Sequence, residues 1–62
     1  MSMGERALLR AAEVAEILGV GRWKAYELMA TNELPVVRIG RLVRVPRAAL
    51  DQWIADRTER AA

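Results

Sequence analysis

Apolar residues recur at helical spacing in three stretches of this chain and alternate in a fourth. In the first stretch Ala11, Val14, Ala15, Ile17 and Leu18 share one side of a helix, with Glu13 and Glu16 on the other. Gly19 stands just past the last periodic residue, where a left-handed C-terminal cap costs glycine least, and Gly21 is placed to cap the next helix. That second helix runs from Arg22 to about Asn32. Its inward stripe is Ala25, Leu28 and Met29; Trp23, Glu27 and Ala30 face outward, with Lys24 and Tyr26 on the flanks. Leu34-Pro35 ends it, because proline disfavours helical geometry in the residue before it and cannot donate to a continuing helix.

The alternating stretch follows. With a three-residue loop of Gly40, Arg41 and Leu42, Ile39 pairs with Val43 and Val37 with Val45, so these four share one face and Arg38 and Arg44 share the other. A two-residue loop would put Arg44 on the face of Val37 and Ile39, so the burial pattern predicts the longer loop with Arg41 at its tip. Pro46 stops the second strand, and Ala49, Leu50, Trp53, Ile54 and Arg57 return to helical spacing in a final helix, with Trp53 as a core anchor. One of Leu8 and Leu9 either packs ahead of the first helix or adds a short strand to the ribbon. The predicted fold is mostly α with a small β-hairpin: a helix-turn-helix, a β-ribbon wing and a closing helix over residues 8–58. Residues 1–7 are expected to be disordered and residues 59–62 to fray.

Composition narrows the chemistry. A chain of 62 residues forms one small domain, and domains of this size bury roughly 60% of their unfolded-chain surface. The absence of cysteine and histidine removes disulfides, thiolate metal ligation and the usual zinc and general-base chemistry. Ser2, Thr31 and Thr58 are the hydroxyl nucleophiles besides Tyr26, and none has a histidine base, so neither an enzyme nor a cofactor or metal site is expected. No apolar stretch approaches the roughly 20 residues needed to cross a bilayer, and the N-terminus lacks the apolar core of a signal peptide. A reducing, cytoplasmic setting without membrane contact is the expectation.

Charge then points to a partner. The net charge is only +2, yet Arg38, Arg41, Arg44 and Arg47 lie between Leu34 and Leu50 with no acid among them. The acids all lie outside that window. A local basic face of arginine, which suits phosphate oxygens and guanine edges better than lysine does, fits double-stranded DNA. A charge run can also be no more than a solvated face.

The chain resembles the excisionase family of small winged helix-turn-helix proteins, related to the DNA-binding domain of MerR-type regulators. Leu8-Leu9, the run Ala12-Glu13-Val14-Ala15-Glu16-Ile17-Leu18-Gly19-Val20, Tyr26, Leu34-Pro35, Val37-Arg38-Ile39-Gly40 and Arg44-Val45-Pro46-Arg47 carry the resemblance. It implies a second helix in the major groove and a wing against the adjacent minor groove. It also implies a recombination directionality factor, which bends attachment-site DNA and biases a phage or plasmid integrase toward excision. The integrase, and neighbouring copies of the chain on DNA, are then partners. A small transcriptional regulator of the same fold is the alternative, and a protein-interaction adaptor, whose binding would ignore Arg41 and salt, is a third class. MerR-type regulators carry a long dimerisation helix and an effector domain after this module, and by this comparison no ligand-sensing part is expected here. Two departures stand out. Arg10 and Gly21 occupy the N-cap positions where the family uses Ser or Thr, and Arg10, with no side-chain acceptor, costs on the order of 1 kcal/mol there. Trp23 stands where the family tends to use a polar or basic residue.

The candidate DNA-binding residues are Arg22, Trp23, Lys24, Tyr26, Glu27, Arg38, Arg41 and Arg44. Arg22 and Lys24 suit phosphates or guanine edges near a helix N-terminus. Glu27 suits a cytosine amino group or the exclusion of wrong bases. Tyr26 either bonds a phosphate through its hydroxyl or packs. Trp23 covers a thymine methyl, packs under the wing or meets a neighbouring protomer, the first being preferred. Arg41 is the candidate for insertion into a narrow minor groove, with Arg38 and Arg44 gripping the flanking backbone. Like charges opposite each other on a ribbon are destabilising, so that pair fits a polyanion partner. Arg47 is structural or at most a backbone contact.

Overall fold

The computed structural model describes residues 7–59. The elements run β1 (Leu8–Leu9), α1 (Ala11–Leu18), α2 (Arg22–Ala30), β2 (Val37–Ile39), β3 (Leu42–Pro46) and α3 (Arg47–Arg57). Three helices and a small antiparallel sheet of order β1-β3-β2 form a winged helix-turn-helix, as the periodicity predicts. Of the stretches expected to be disordered (1–7) and frayed (59–62), residues 1–6 and 60–62 lie outside the described residues.

The α1–α2 turn follows from its glycines. Gly19 sits at φ +71°, its amide bonding Glu16 O, and Val20 N–H reaches Ala15 O at 3.0 Å. This pair of bonds closes α1 as a Schellman cap. Arg10 is the N-cap of α1 without a side-chain acceptor, but Glu13 Oε1 accepts from the Arg10 amide at 2.9 Å. Half of a capping box is therefore present. The second helix ends earlier than the proline alone suggests. Asn32 takes a left-handed φ of +61°, and Leu34 N–H returns to Leu28 O. Asparagine tolerates that conformation better than most residues.

The core comprises Leu9, Ala11, Val14, Ala15, Ala25, Met29, Leu34, Val45 and Leu50. Alanines on α1 and α2 let those helices approach closely, while Leu34 and Leu50 are fully buried. Ile17, expected on the inward stripe, is 41% exposed and lies at its edge. Trp53 is half-buried against the core as anticipated. Its Nε1 donates to Glu33 O at 2.9 Å, and the Arg57 guanidinium stacks 4.0 Å from its ring centre.

Of the two roles open to Leu8 and Leu9, the strand is realised, with Leu8 opposite Pro46 and Leu9 opposite Val45. The wing departs from the predicted register. Ile39 pairs with Leu42, Arg38 with Val43 and Val37 with Arg44, so the loop holds two residues, Gly40 and Arg41. Gly40 at φ +60° followed by a residue of negative φ has the dihedral signs of a type II′ hairpin turn. The three-residue expectation fails because it assumed that Val37 and Ile39 share the buried face of Val43 and Val45. Val45 is fully buried and Val43 packs beside it on the inward face, whereas Ile39 and Leu42 stand on the other face and are each 52% exposed. Arg44 therefore shares a face with Val37, Ile39 and Leu42, and Arg38 lies on the opposite face beside Val43. Arg38 and Arg44 are therefore not opposite each other on the ribbon, contrary to the expected like-charge pair.

Candidate nucleic-acid interface

Between the start of α1, the length of α2 and the wing lies an open groove of about 740 Å³. Five arginines line it: Arg10, Arg22, Arg38, Arg41 and Arg44, together with Tyr26, Met29 and Val43. The fold brings them there by simple means. Gly21 starts α2 so that Arg22 occupies its first turn, and the type II′ turn carries Arg41 to the ribbon tip. Arg44 is held along its strand by a bond from its guanidinium to Val43 O at 3.0 Å. Arg38 and Arg44 reach the groove from opposite faces of the ribbon.

Charge pairing separates these arginines from the rest. Arg47 pairs with Asp51 at 3.6 Å and Arg57 with Glu33 at 3.2 Å, leaving both engaged within the fold. Arg10 keeps a loose contact with Glu13 at 3.7 Å. Among the described residues, Arg22, Arg38, Arg41 and Arg44 have no acidic partner. Four guanidiniums around one concavity repel one another, and an external anion relieves that repulsion.

The predicted residues thus divide. Arg22, Tyr26, Arg38, Arg41 and Arg44 come together around the groove, whereas Trp23, Lys24 and Glu27 lie outside its lining on the outward side of α2. Trp23 is 73% exposed and does not pack under the wing; Tyr26 is 61% exposed, which leaves its hydroxyl accessible. Lys24 Nζ bonds Glu27 Oε1 at 3.0 Å and stands 5.7 Å from the centre of the Trp23 ring. These three form a linked cluster in which Glu27 is already engaged by a cation. Arg10 is the groove residue missed by sequence reasoning, which weighed it only as a poor helix cap. The absence of a side-chain acceptor at that position was the available signal. Among the described residues no group of acids could hold a metal ion, and no helix is long and apolar enough to cross a membrane.

Comparison with known proteins adds independent findings. A family model described as a helix-turn-helix domain matches residues 8–58. A protein of Saccharopolyspora erythraea named "Probable excisionase" is 52% identical over 50 residues, covering 81% of this chain and 51% of that protein. Proteins from two strains of Mycobacterium tuberculosis, each provisionally named a DNA-binding protein, are 44% identical over 47 residues, covering 76% of this chain and 60% of theirs. The chain therefore spans little more than half the length of these relatives. No solved structure matches it.

Proposed function

The chain belongs to the helix-turn-helix domain family, and from that premise we propose that it is an excisionase, which binds and bends attachment-site DNA cooperatively to direct an integrase toward excision. The observation that carries DNA binding is the groove of arginines without acidic partners beside an exposed second helix. The likeness to a protein named as an excisionase supports the recombination role.

In this reading α2 enters the major groove. Arg22 and Lys24 meet phosphates or guanine edges, helped by first-turn amides that no side chain caps. Tyr26 bonds a phosphate through its exposed hydroxyl. Glu27 fixes Lys24 and disfavours bases that present an acceptor to it, and Trp23 covers a thymine methyl or meets a neighbouring copy. Arg41 reaches into the minor groove while Arg38, Arg44 and Arg10 grip the backbone on either side. A single module of this kind buries only about 600–1,000 Å² on DNA, so several copies on adjacent repeats are needed for useful specificity. No step is catalytic. The chain supplies shape and charge, and the strand exchange belongs to the integrase.

Native gel retardation on attachment-site DNA, at two salt concentrations and with circularly permuted probes, tests this directly. Discrete, salt-sensitive bands whose mobility depends on site position are expected. Tight binding to a promoter without bending would move the assignment to a transcriptional regulator. No binding at low salt would overturn both.

A further inference from the structure

We propose that the wing tip is an apolar wedge, in which Ile39 and Leu42 enter between base steps in the minor groove and kink the duplex. This rests on the DNA-binding function proposed above and assigns its bending step to two residues.

The two-residue turn makes Ile39 and Leu42 direct cross-strand neighbours on one face of the hairpin, immediately below Gly40 and Arg41. Side chains so paired stand close enough to act as a single apolar body. Each is 52% exposed, and neither belongs to the core or to the residues packed against it. A type II′ turn is satisfied by glycine at its first position and does not require aliphatic residues beside it. A ribbon selected only for solubility would carry polar side chains on a face left this exposed.

The surrounding charge identifies the occupant. Arg41 at the tip and Arg44 further along the same face flank the pair, and Arg38 stands on the reverse face of the ribbon, none with an acidic partner among the described residues. An ordinary apolar protein surface would have to bury those guanidiniums against no countercharge, which is costly. A base stack between two phosphate strands offers the matching pattern, apolar in the middle and anionic at both margins. Leucine and isoleucine are among the side chains that minor-groove proteins insert to unstack base steps, with kinks of about 20–90°.

The test uses the whole chain and a duplex recovered from a random pool by binding to it. 2-Aminopurine is placed at successive positions, and donor and acceptor dyes at the duplex ends. With the unaltered chain, emission is expected to rise at one step under the wing while the ends draw together. The double variant Ile39→Thr/Leu42→Thr places β-branched residues suited to a strand at both positions and leaves Arg41 in place. It is expected to bind with the same salt dependence, to leave every 2-aminopurine quenched and to lose most of the bend. Bending and unstacking by the double variant equal to the unaltered chain would overturn the proposal. So would an unchanged bend accompanied by loss of self-association, which would make the pair a protein contact. Far-UV circular dichroism checks the fold; should the double variant not fold, the unaltered chain decides, because binding without unquenching at any step refutes the wedge. Failure of the unaltered chain to bind any duplex would instead refute DNA binding itself.

Discussion

Replacing Arg10 by serine should move stability and DNA affinity in opposite directions. Arg10 holds the N-cap of α1 with extended backbone and no side-chain bond to the helix, while its own amide already donates to Glu13 Oε1 at 2.9 Å. A serine hydroxyl there can accept from the Glu13 amide and complete the reciprocal cap, a gain of about 1 kcal/mol. The loss of the Arg10–Glu13 contact, at 3.7 Å with the arginine side chain 58% exposed, offsets only a few tenths of that, as exposed pairs contribute at most about 1 kcal/mol. The net gain is about 0.5–1 kcal/mol, and in a domain this small each kcal/mol raises Tm by about 4–8 °C. Binding should fall, because one guanidinium leaves the groove. Removing one phosphate contact reduces the slope of log affinity against log salt by about 0.9. A thermal melt followed by circular dichroism and anisotropy titrations across about 50–200 mM salt measure both effects, with Arg10→Ala as the variant that loses the charge without gaining the cap. A Tm that does not rise in Arg10→Ser would refute the capping argument. An unchanged salt slope in both variants would remove Arg10 from the interface.

Three further outcomes are expected. Arg41→Ala should weaken binding evenly across sequences with a salt slope smaller by about 0.9, whereas Arg22→Ala should also relax base preference by about 1–3 kcal/mol at one position; competition titrations against a panel of point-mutated sites separate the two. Gly19→Ala should destabilise the fold by about 1–2 kcal/mol through its left-handed backbone alone, since an added Cβ there meets nothing within 4 Å, and a urea titration reads it. Trp53→Phe should cost about 0.5–1.5 kcal/mol by removing the bond to Glu33 O while leaving the salt dependence of DNA binding intact.

The helices were legible because their signals are local. Ala11, Val14, Ala15 and Leu18 repeat at helical spacing, Gly19 marks a cap through its backbone freedom, and Leu34-Pro35 bars continuation. The ribbon register was not legible from burial, since Ile39 looks like a partner of Val43 and Val45 on the buried face and instead lies on the exposed one. Turn chemistry, with glycine followed directly by Arg41, was the better guide. Two residues carry no periodicity, so Leu8-Leu9 could be read as strand or as packing until their partners Pro46 and Val45 were known. Within the interface, arginine content marked Arg22, Arg38, Arg41 and Arg44. The convergence of Arg10 with them depends on how α1 approaches the wing, which no local pattern encodes. The pairing of Lys24 with Glu27 follows from their spacing on α2, and it turns two candidate contacts into one unit.

The short strand β1 has a consequence for how the domain assembles. The α1–α2 turn and the β2–β3 hairpin each close over a few residues, but Leu9 meets Val45 across 36 positions, and the Arg47 amide donates to Ala7 O beside them. Drawing those ends together costs about 3 kcal/mol of chain entropy by the loop-closure relation, against little for the local turns. This seam pairs the strands of widest sequence separation in a sheet whose other connection is a two-residue turn. It joins the helical half to the wing and α3, making a single cooperative unit of parts that each close locally.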